Sequence, residues 1–324
     1  MLTADLFKKV LLEPAEQGCN KLYIVSGYAT PAMAFHHLDA LKESEIKIDV
    51  ELILGMCARD GLGQSHHLGF KKLVEDDFKD RLKCSYLRRQ PPVHSKVYGW
   101  FKDETPVIGF AGSPNYTQTA FSENQREFVA ECPPSDCRAY FESLIDDTIY
   151  CDHNEAENEI VIFNDKEFYS RQRRRRVVED VEPEAPEVSI EGLPQVTISL
   201  LDARRDLPAR SGLNWGQRPE YNREPNQAYI RVPSDIGKSD FFPPKGEHFT
   251  VVTDDGKVLV CTRAQDKAKA IETPHNNSLI GSYFRSRLGL PSGQLITVDD
   301  LRRYGRTDVT FTKIDNETYH MDFS

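Results

Sequence analysis

Residues 91–101 read PPVHSKVYGWF, a histidine and a lysine two apart in a run of β-branched and aromatic residues. In an extended chain residues i and i+2 project to one face. His94 and Lys96 should therefore stand side by side on a strand, with Val93 and Val97 turned to the other face. An imidazole beside an ammonium suits phosphate chemistry: one supplies a nucleophile or a transferable proton, the other a fixed positive charge. The plain alternative is a solvated strand face. The residues that follow favour phosphate. The chain turns at KDETP (102–106) and returns as VIGFAGSPNYTQ, which brings Gly112, Ser113 and Asn115 level with His94 and Lys96. Glycine permits close backbone approach, serine offers a hydroxyl and asparagine an amide. With lysine, these are groups that the two non-bridging oxygens of a phosphodiester need as charge builds in the transition state.

The elements that must position these residues alternate between strand and helix. KLYIVSGY (21–28) reads as a strand, and TPAMAFHHLDALKE (30–43) as a helix capped by Thr30 with Pro31 in its first turn. A strand over IKIDVELILGM (46–56) and a helix over HHLGFKKLVEDDF (66–78) follow, then strands near 82–88, 93–102, 106–112 and 126–132 and a helix through 135–150. This pattern predicts an α/β domain, a mixed sheet flanked by helices, over residues 1–169. His36, His37, His66 and His67 fall on its helices outside any motif of the sequence and read as structural or solvent-facing. RQRRRR (171–176) followed by EDVEPEAPE (179–187) marks a charged linker over 170–190, though the arginine run could also track a DNA backbone. Beyond Leu193 the chain turns to β. QVTISLL, QAYIRVP, HFTVVTDDGKVLVCTR and DVTFTKIDNETYHMDF read as strands, with helices at 278–290 and 297–305, an all-β barrel or pseudobarrel over 191–324.

Composition sets outer bounds. With 39% hydrophobic and 10% aromatic residues, a chain of 324 can bury two cores. No long apolar run is present, so neither a membrane span nor a signal peptide is expected. Seven scattered cysteines fit a reducing cytoplasm. Cys132, Cys137, Cys151 and His153 are the right types for zinc, but their spacing matches no common finger, so they read as thiols and no metal site is expected. The net charge of −10 argues against a nucleic-acid partner only until the chain is divided. Basic and acidic residues balance in 191–324, so the acidic excess belongs to the N-terminal part.

The two half-motifs together resemble the His-x-Lys…Gly-Ser-x-x-Asn signature of the phospholipase D superfamily. Phe101 stands where the superfamily has an aspartate, with Asp103 nearby, and His-x-Lys occurs once rather than twice. Both features fit the nuclease branch, in which each of two subunits gives one half-site. LYIVSGYATPAMAF, PPVHSKVYGWF, GFAGSPNYTQ and SGLNWGQRPEYNREPNQAYI extend the likeness over the whole length, to the NgoFVII-type restriction endonucleases. That resemblance implies a phospholipase-D-like nuclease domain followed by a DNA-recognition pseudobarrel of the plant B-three type. It implies that His94 attacks phosphorus to form a phosphohistidine, and that His94 of the second subunit protonates the leaving 3′ oxygen and then activates water. Lys96 and Asn115 would hold the phosphate with help from Ser113. Glu127, or failing that Glu123, would orient the histidine. No metal or other cofactor enters this scheme, so chelators should leave cleavage intact.

In the second domain SGLNWGQRPEYNREPNQAY (211–229) is too polar and too broken by glycine and proline for a core element. Arginine reads guanine and asparagine or glutamine reads adenine in the major groove. Trp215, Gln217, Arg218, Asn222 and Arg223 are thus the expected DNA contacts here, with Trp215 alternatively a plug for the barrel end. Lys238, Arg263, Arg285 and Arg287 are expected on phosphates, and Arg88 and Arg89, beside the first site, either on phosphates or in solvent. The expectation is a homodimeric, cytoplasmic, metal-independent site-specific endonuclease acting on double-stranded DNA. The resemblance allows a companion ATP-driven, helicase-like subunit, since the chain carries no G-x-x-x-x-G-K-[ST] loop. The alternatives are a phosphodiesterase acting on RNA or phospholipid, and a DNA-binding protein without catalysis.

Overall fold

The computed structural model describes residues 1–122, 125–164 and 193–324. Glu123, the 170–190 segment and its arginine run lie outside the described residues. The chain divides into two units, Met1–Val188 and Ser189–Ser324.

The first unit is built on β1 (Lys21–Ser26), β2 (Asp49–Leu54), β3 (Leu62–Gly63), β4 (Leu82–Leu87), β5 (Val97–Lys102), β6 (Thr105–Gly112), β7 (Val129–Cys132), β8 (Thr148–Tyr150) and β9 (Ile162–Phe163). Seven of these form one mixed sheet in the order β7-β6-β5-β1-β2-β4-β8, while β3 pairs with β9 apart from it. β1, β2 and β4 are parallel; β5, β6 and β7 run antiparallel on one side and β8 on the other. The central strand β1 is buried from Leu22 to Ser26, as expected of a strand covered on both faces. Its crossover helix, Pro31–Glu43, starts where the sequence indicates: the Thr30 hydroxyl accepts from Met33 N–H at 3.2 Å. His37, on that helix, is wholly buried between Tyr116 Oη at 2.8 Å and the Leu11 carbonyl at 2.9 Å. Burial pushes its pKa down to about 3, so this ring is a neutral structural bridge.

Two boundaries differ from expectation. The helix expected through 135–150 ends at Leu144; a 3₁₀ turn follows, and Thr148–Tyr150 leaves it as the edge strand β8. β-branched Thr148 and Ile149 pair with β4, whose open edge offers the hydrogen bonds that a continuing helix would have supplied. The strand expected from residue 93 begins instead at Val97, leaving His94 and Lys96 in the segment that leads into it.

The second unit holds β10 (Gln195–Ser199), β11 (Ile230–Arg231), β12 (His248–Thr253), β13 (Val258–Ala264), β14 (Ala270–Glu272), β15 (Asp308–Lys313) and β16 (Thr318–Asp322). They form one sheet in the order β10-β15-β16-β12-β13-β14-β11. Ile198 from one edge strand and Ile230 from the other join the same core as Phe249, Phe284, Phe311 and Tyr319, so the sheet is barrel-like. The helices Ser278–Arg287 and Val298–Tyr304 are slightly shorter than expected, the latter opened by a Thr297–Asp300 capping box. QAYIRVP yields only two strand residues: Tyr229 N–H turns away to the Gly212 carbonyl, while Val232 N–H carries the β11–β14 register one step further, to the Lys269 carbonyl just before β14.

Candidate functional site

The first unit gathers its chemistry-bearing residues at the carboxyl ends of β1 and β2, where open parallel sheets commonly place ligands. Two glycines make the approach possible. Val93 N–H donates to the Gly55 carbonyl at 2.9 Å, and a β-carbon on Gly55 would lie 2.1 Å from the Val93 carbonyl oxygen. A β-carbon on Gly27 would meet His94 Cδ2 at 2.9 Å and Asn115 Oδ1 at 3.4 Å. The residues after β1 and β2 thus fix the His94 segment from below.

Although His94 and Lys96 precede β5, their shared face survives. Gly112 N–H donates to the Lys96 carbonyl at 3.1 Å, which carries the β5–β6 pairing past the strand end. Val93 and Val97 pack against Tyr23, Val25, Ile53, Phe101 and Phe141. His94 and Lys96 therefore project away from that cluster. His94 is exposed and Lys96 is buried, with Lys96 Nζ 3.1 Å from each ring nitrogen of His94 and donating to the His94 carbonyl at 2.8 Å. Desolvation, then the charges of Lys96 and Arg59, lower the His94 pKa, with Asp60 opposing. The shift favours the neutral imidazole, which keeps a lone pair. Burial also lowers the Lys96 pKa, opposed by Glu127.

β6 and the turn beyond it contribute the other half. Ser113 Oγ donates to Glu127 Oε2 and accepts from Phe128 N–H at 3.1 Å. Asn115 Oδ1 accepts from Tyr28 N–H at 3.1 Å, which assigns the amide orientation and leaves its NH₂ as the donor end. The remaining Glu127 oxygen accepts from Gln125 at 2.6 Å. Glu127 therefore serves Ser113 and faces the charge of Lys96; among the described residues it makes no hydrogen bond to His94, which differs from its expected orienting role.

Three residues at this site were not singled out in the sequence. Tyr28 meets the His94 ring edge-on at 6.0 Å, and its hydroxyl donates to Asp60 Oδ2 at 2.6 Å. Asp60 accepts from Arg59 Nε at 2.9 Å. Burial and the Asp60 bond push the Tyr28 hydroxyl up to about 12, so it remains a donor. The signal available was the glycine closing each parallel strand, Gly27 and Gly55, since both mark the carboxyl edge of the sheet.

Phe101, at the aspartate position of the motif, pairs with Lys21 at the start of β1 and packs in the apolar cluster, roughly 20 Å along the strand from His94. Asp103 exchanges hydrogen bonds with Asn20 at that same far end. The substitution leaves the His94 end of the sheet untouched. Cys132 and Cys137 approach each other to 3.4 Å at the β7 edge, while Cys151 bonds to Cys84 of β4 on the opposite side of the sheet, so the four candidate zinc ligands never meet. No metal-holding group of three or more such residues occurs among the described residues. Arg88 lies 3.6 Å from Glu159, and Arg89 lies 2.9 Å from Asp147.

In the second unit, the 211–229 stretch is a loop anchored from beneath. The buried Asn214 side chain bridges the Pro208 and Ile296 carbonyls and accepts from Ile296 N–H. Trp215 carries the Arg223 guanidinium on its face at 3.8 Å, and Arg223 also donates to Gln227. Gln217 donates to the Gly293 and Pro225 carbonyls, which takes its amide N–H groups for the loop itself. Asn222 is exposed at a left-handed turn with φ 52°, beside Tyr221, which is 68% exposed; Arg218 is half-buried. Lys238 is exposed.

The expected phosphate contacts Arg263, Arg285 and Arg287 differ from Lys238. Arg263 is buried and donates to the Ala268, Gly237 and Pro243 carbonyls. Arg285, 1% exposed, donates to the Gln294, Gly281 and Pro225 carbonyls. Arg287 is held by Asp254 at 2.6 Å and by Tyr304 and the Phe323 carbonyl. These guanidiniums are spent on the protein itself: Arg263 and Arg285 are buried against backbone carbonyls, and Arg287, partly buried, is paired with Asp254. Among the described residues no helix is long and apolar enough to cross a membrane.

Comparison with known proteins agrees with this division. Residues 4–158 match the family model of the NgoFVII restriction endonuclease N-terminal PLD domain, and residues 188–315 that of the NgoFVII C-terminal B3-like DNA-binding domain. No curated protein matches the chain. Among solved structures, NucT from Helicobacter pylori aligns at 14% identity and a TM-score of 0.32, over 46% of this chain and 95% of that one. A polyphosphate kinase from Porphyromonas gingivalis aligns at 12% identity and a TM-score of 0.30, over 54% of this chain and 26% of that one. Structural overlap this low says nothing about activity. The two family models, which between them take in both units, decide the matter: the chain belongs to the NgoFVII restriction endonuclease family, with a PLD-type nuclease domain ahead of a B3-like DNA-binding domain.

Proposed function

We propose that this protein is a site-specific endonuclease that hydrolyses double-stranded DNA without a metal, through a covalent phosphohistidine formed at the interface of a homodimer. The observation that carries the proposal is the exposed His94 imidazole with Lys96 Nζ 3.1 Å from each ring nitrogen. A ring nitrogen of His94 attacks phosphorus as the bond to the 3′ oxygen breaks. His94 of a second copy, protonated, gives its proton to that oxygen. The second histidine then takes a proton from water, the hydroxide displaces the phosphohistidine nitrogen, and both histidines return to their starting states. Because one histidine must be neutral and the other protonated, the two titrate as a coupled pair. Lys96 neutralises charge on the non-bridging oxygens, a role that metal ions fill in other nucleases, and the Asn115 NH₂ donates hydrogen bonds to them. Glu127 fixes Ser113 and supports the charge on Lys96.

Residues 1–169 supply the chemistry, 170–190 link the domains, and 191–324 recognise the DNA. The Trp215–Arg223 stack, Arg218, Asn222 and Lys238 are the residues we assign to DNA contact. The far position of Phe101 supports the catalytic reading over one of a degenerate nuclease domain. The direct test is a denaturing quench of the protein with end-labelled duplex, with any companion ATPase supplied alongside. The expected product is a labelled adduct on the protein, stable to base, labile to acid and absent from His94→Ala. Rapid cleavage with no adduct at any quench time would reject the covalent route.

A further inference from the structure

The proposed chemistry leaves Tyr28, Asp60 and Arg59 without a part, yet they form one chain of contacts ending at His94. The Tyr28 ring lies edge-on to His94, its hydroxyl holds Asp60 Oδ2 at 2.6 Å, and Asp60 takes Arg59 Nε at 2.9 Å and Nη2 at 3.3 Å. The Asp60 side chain is 6% exposed and that of Arg59 50%. Both follow β2 in the short helix Cys57–Asp60, which is tied to the His94 segment by Val93 N–H on the Gly55 carbonyl and by Gln90 Nε2 on the Ala58 carbonyl, each at 2.9 Å. A buried carboxylate, pinned by a tyrosine, holds one edge of a guanidinium through two N–H groups, and that arginine side chain is half exposed. Lys96, Arg59, Asp60 and Tyr28 are the charged and titratable groups facing His94. A guanidinium fork fits phosphate oxygens. A domain carrying the chain's acidic excess needs cations placed locally to accept a polyanion.

We propose that Arg59 is a substrate-binding residue that holds the DNA backbone phosphate next to the one at His94, with Asp60 and Tyr28 as the positioning residues that fix its guanidinium. This rests on His94 being the reacting group. The experiment is steady-state duplex cleavage over a salt series by wild type, Arg59→Ala, Arg59→Lys, Tyr28→Phe and His94→Ala. Arg59→Ala should raise KM about tenfold, the change expected for one charge-assisted hydrogen bond to phosphate, with kcat little altered. Its log–log salt slope should be shallower by about 0.9, as for one fewer phosphate neutralised. Arg59→Lys keeps the charge and should restore the slope while recovering only part of KM. Tyr28→Phe keeps the ring on His94 and should raise KM by less than Arg59→Ala. Unchanged KM and slope in Arg59→Ala, beside an inactive His94→Ala, would overturn the proposal. So would a fall in kcat alone, which would assign the trio to His94 only. A fully active His94→Ala would remove the reading of the site itself, and this proposal with it.

Discussion

Lys96 Nζ lies 3.1 Å from both ring nitrogens of His94 and is fixed there by the carbonyl of that same residue at 2.8 Å. One ammonium therefore does two things. It disfavours the imidazolium, and in the proposed mechanism it stands where the phosphate oxygens arrive. Lys96→Ala should lower kcat by about 10² to 10³, the effect of removing one preorganised donor. The same variant should raise the His94 pKa, read from the histidine ring signals by NMR.

The bridge made by His37 has a pH signature. Its folded pKa of about 3 lies below the ordinary value of 6.5, so the unfolded chain binds the proton more readily. The stabilisation is complete above pH 6.5 and is lost as pH falls toward 3, by about 1.4 kcal/mol per pH unit for one proton. In a Trp215→Phe background, Trp100 fluorescence should report a urea midpoint for the first unit that falls from pH 7 to pH 5. His37→Gln, less stable throughout, should show a flatter dependence over that interval.

Gly55→Ala should separate positioning from recognition. The added β-carbon would fall 2.1 Å from the Val93 carbonyl oxygen, so the His94 segment must shift. Misplacement by about 1 Å costs a factor of about 10². Cleavage should drop at least that far, while duplex affinity measured by anisotropy stays within about twofold of wild type.

The arginines of the second unit should divide by burial. Arg285→Met strands three carbonyl acceptors around a buried site and should destabilise that unit by about 3 kcal/mol, read from its urea transition. Lys238→Ala, at an exposed position, should leave stability unchanged and make the salt slope of DNA binding shallower by about 0.9.

The grouping of the candidate site was legible because its parts are local. His94 and Lys96 share a face through i, i+2 geometry, and a single turn returns Ser113 and Asn115 beside them, so neighbours in sequence are neighbours in space. Tyr28, Arg59 and Asp60 were not legible because they reach His94 from two parallel strands joined by a crossover, and nothing in their spacing records that meeting. Glu127 lies at the site, but its partner is decided by how the chain enters β7, which sets it on Ser113. In the second unit, residue type misled. An arginine there reads as a DNA contact, yet whether it faces solvent or closes over backbone carbonyls depends on which distant segments pack against its strand or helix, as Arg263 on β13 and Arg285 on the helix Ser278–Arg287 illustrate.

The central claim is that His94 cuts DNA with Lys96 in place of a metal ion. Cleavage of long unmethylated DNA in excess EDTA, wild type beside His94→Ala, tests it most directly. A parallel arm in magnesium includes any companion ATPase with ATP. The account predicts discrete fragments from the wild type in EDTA and intact DNA from the variant. Cleavage that requires magnesium and survives His94→Ala would contradict it.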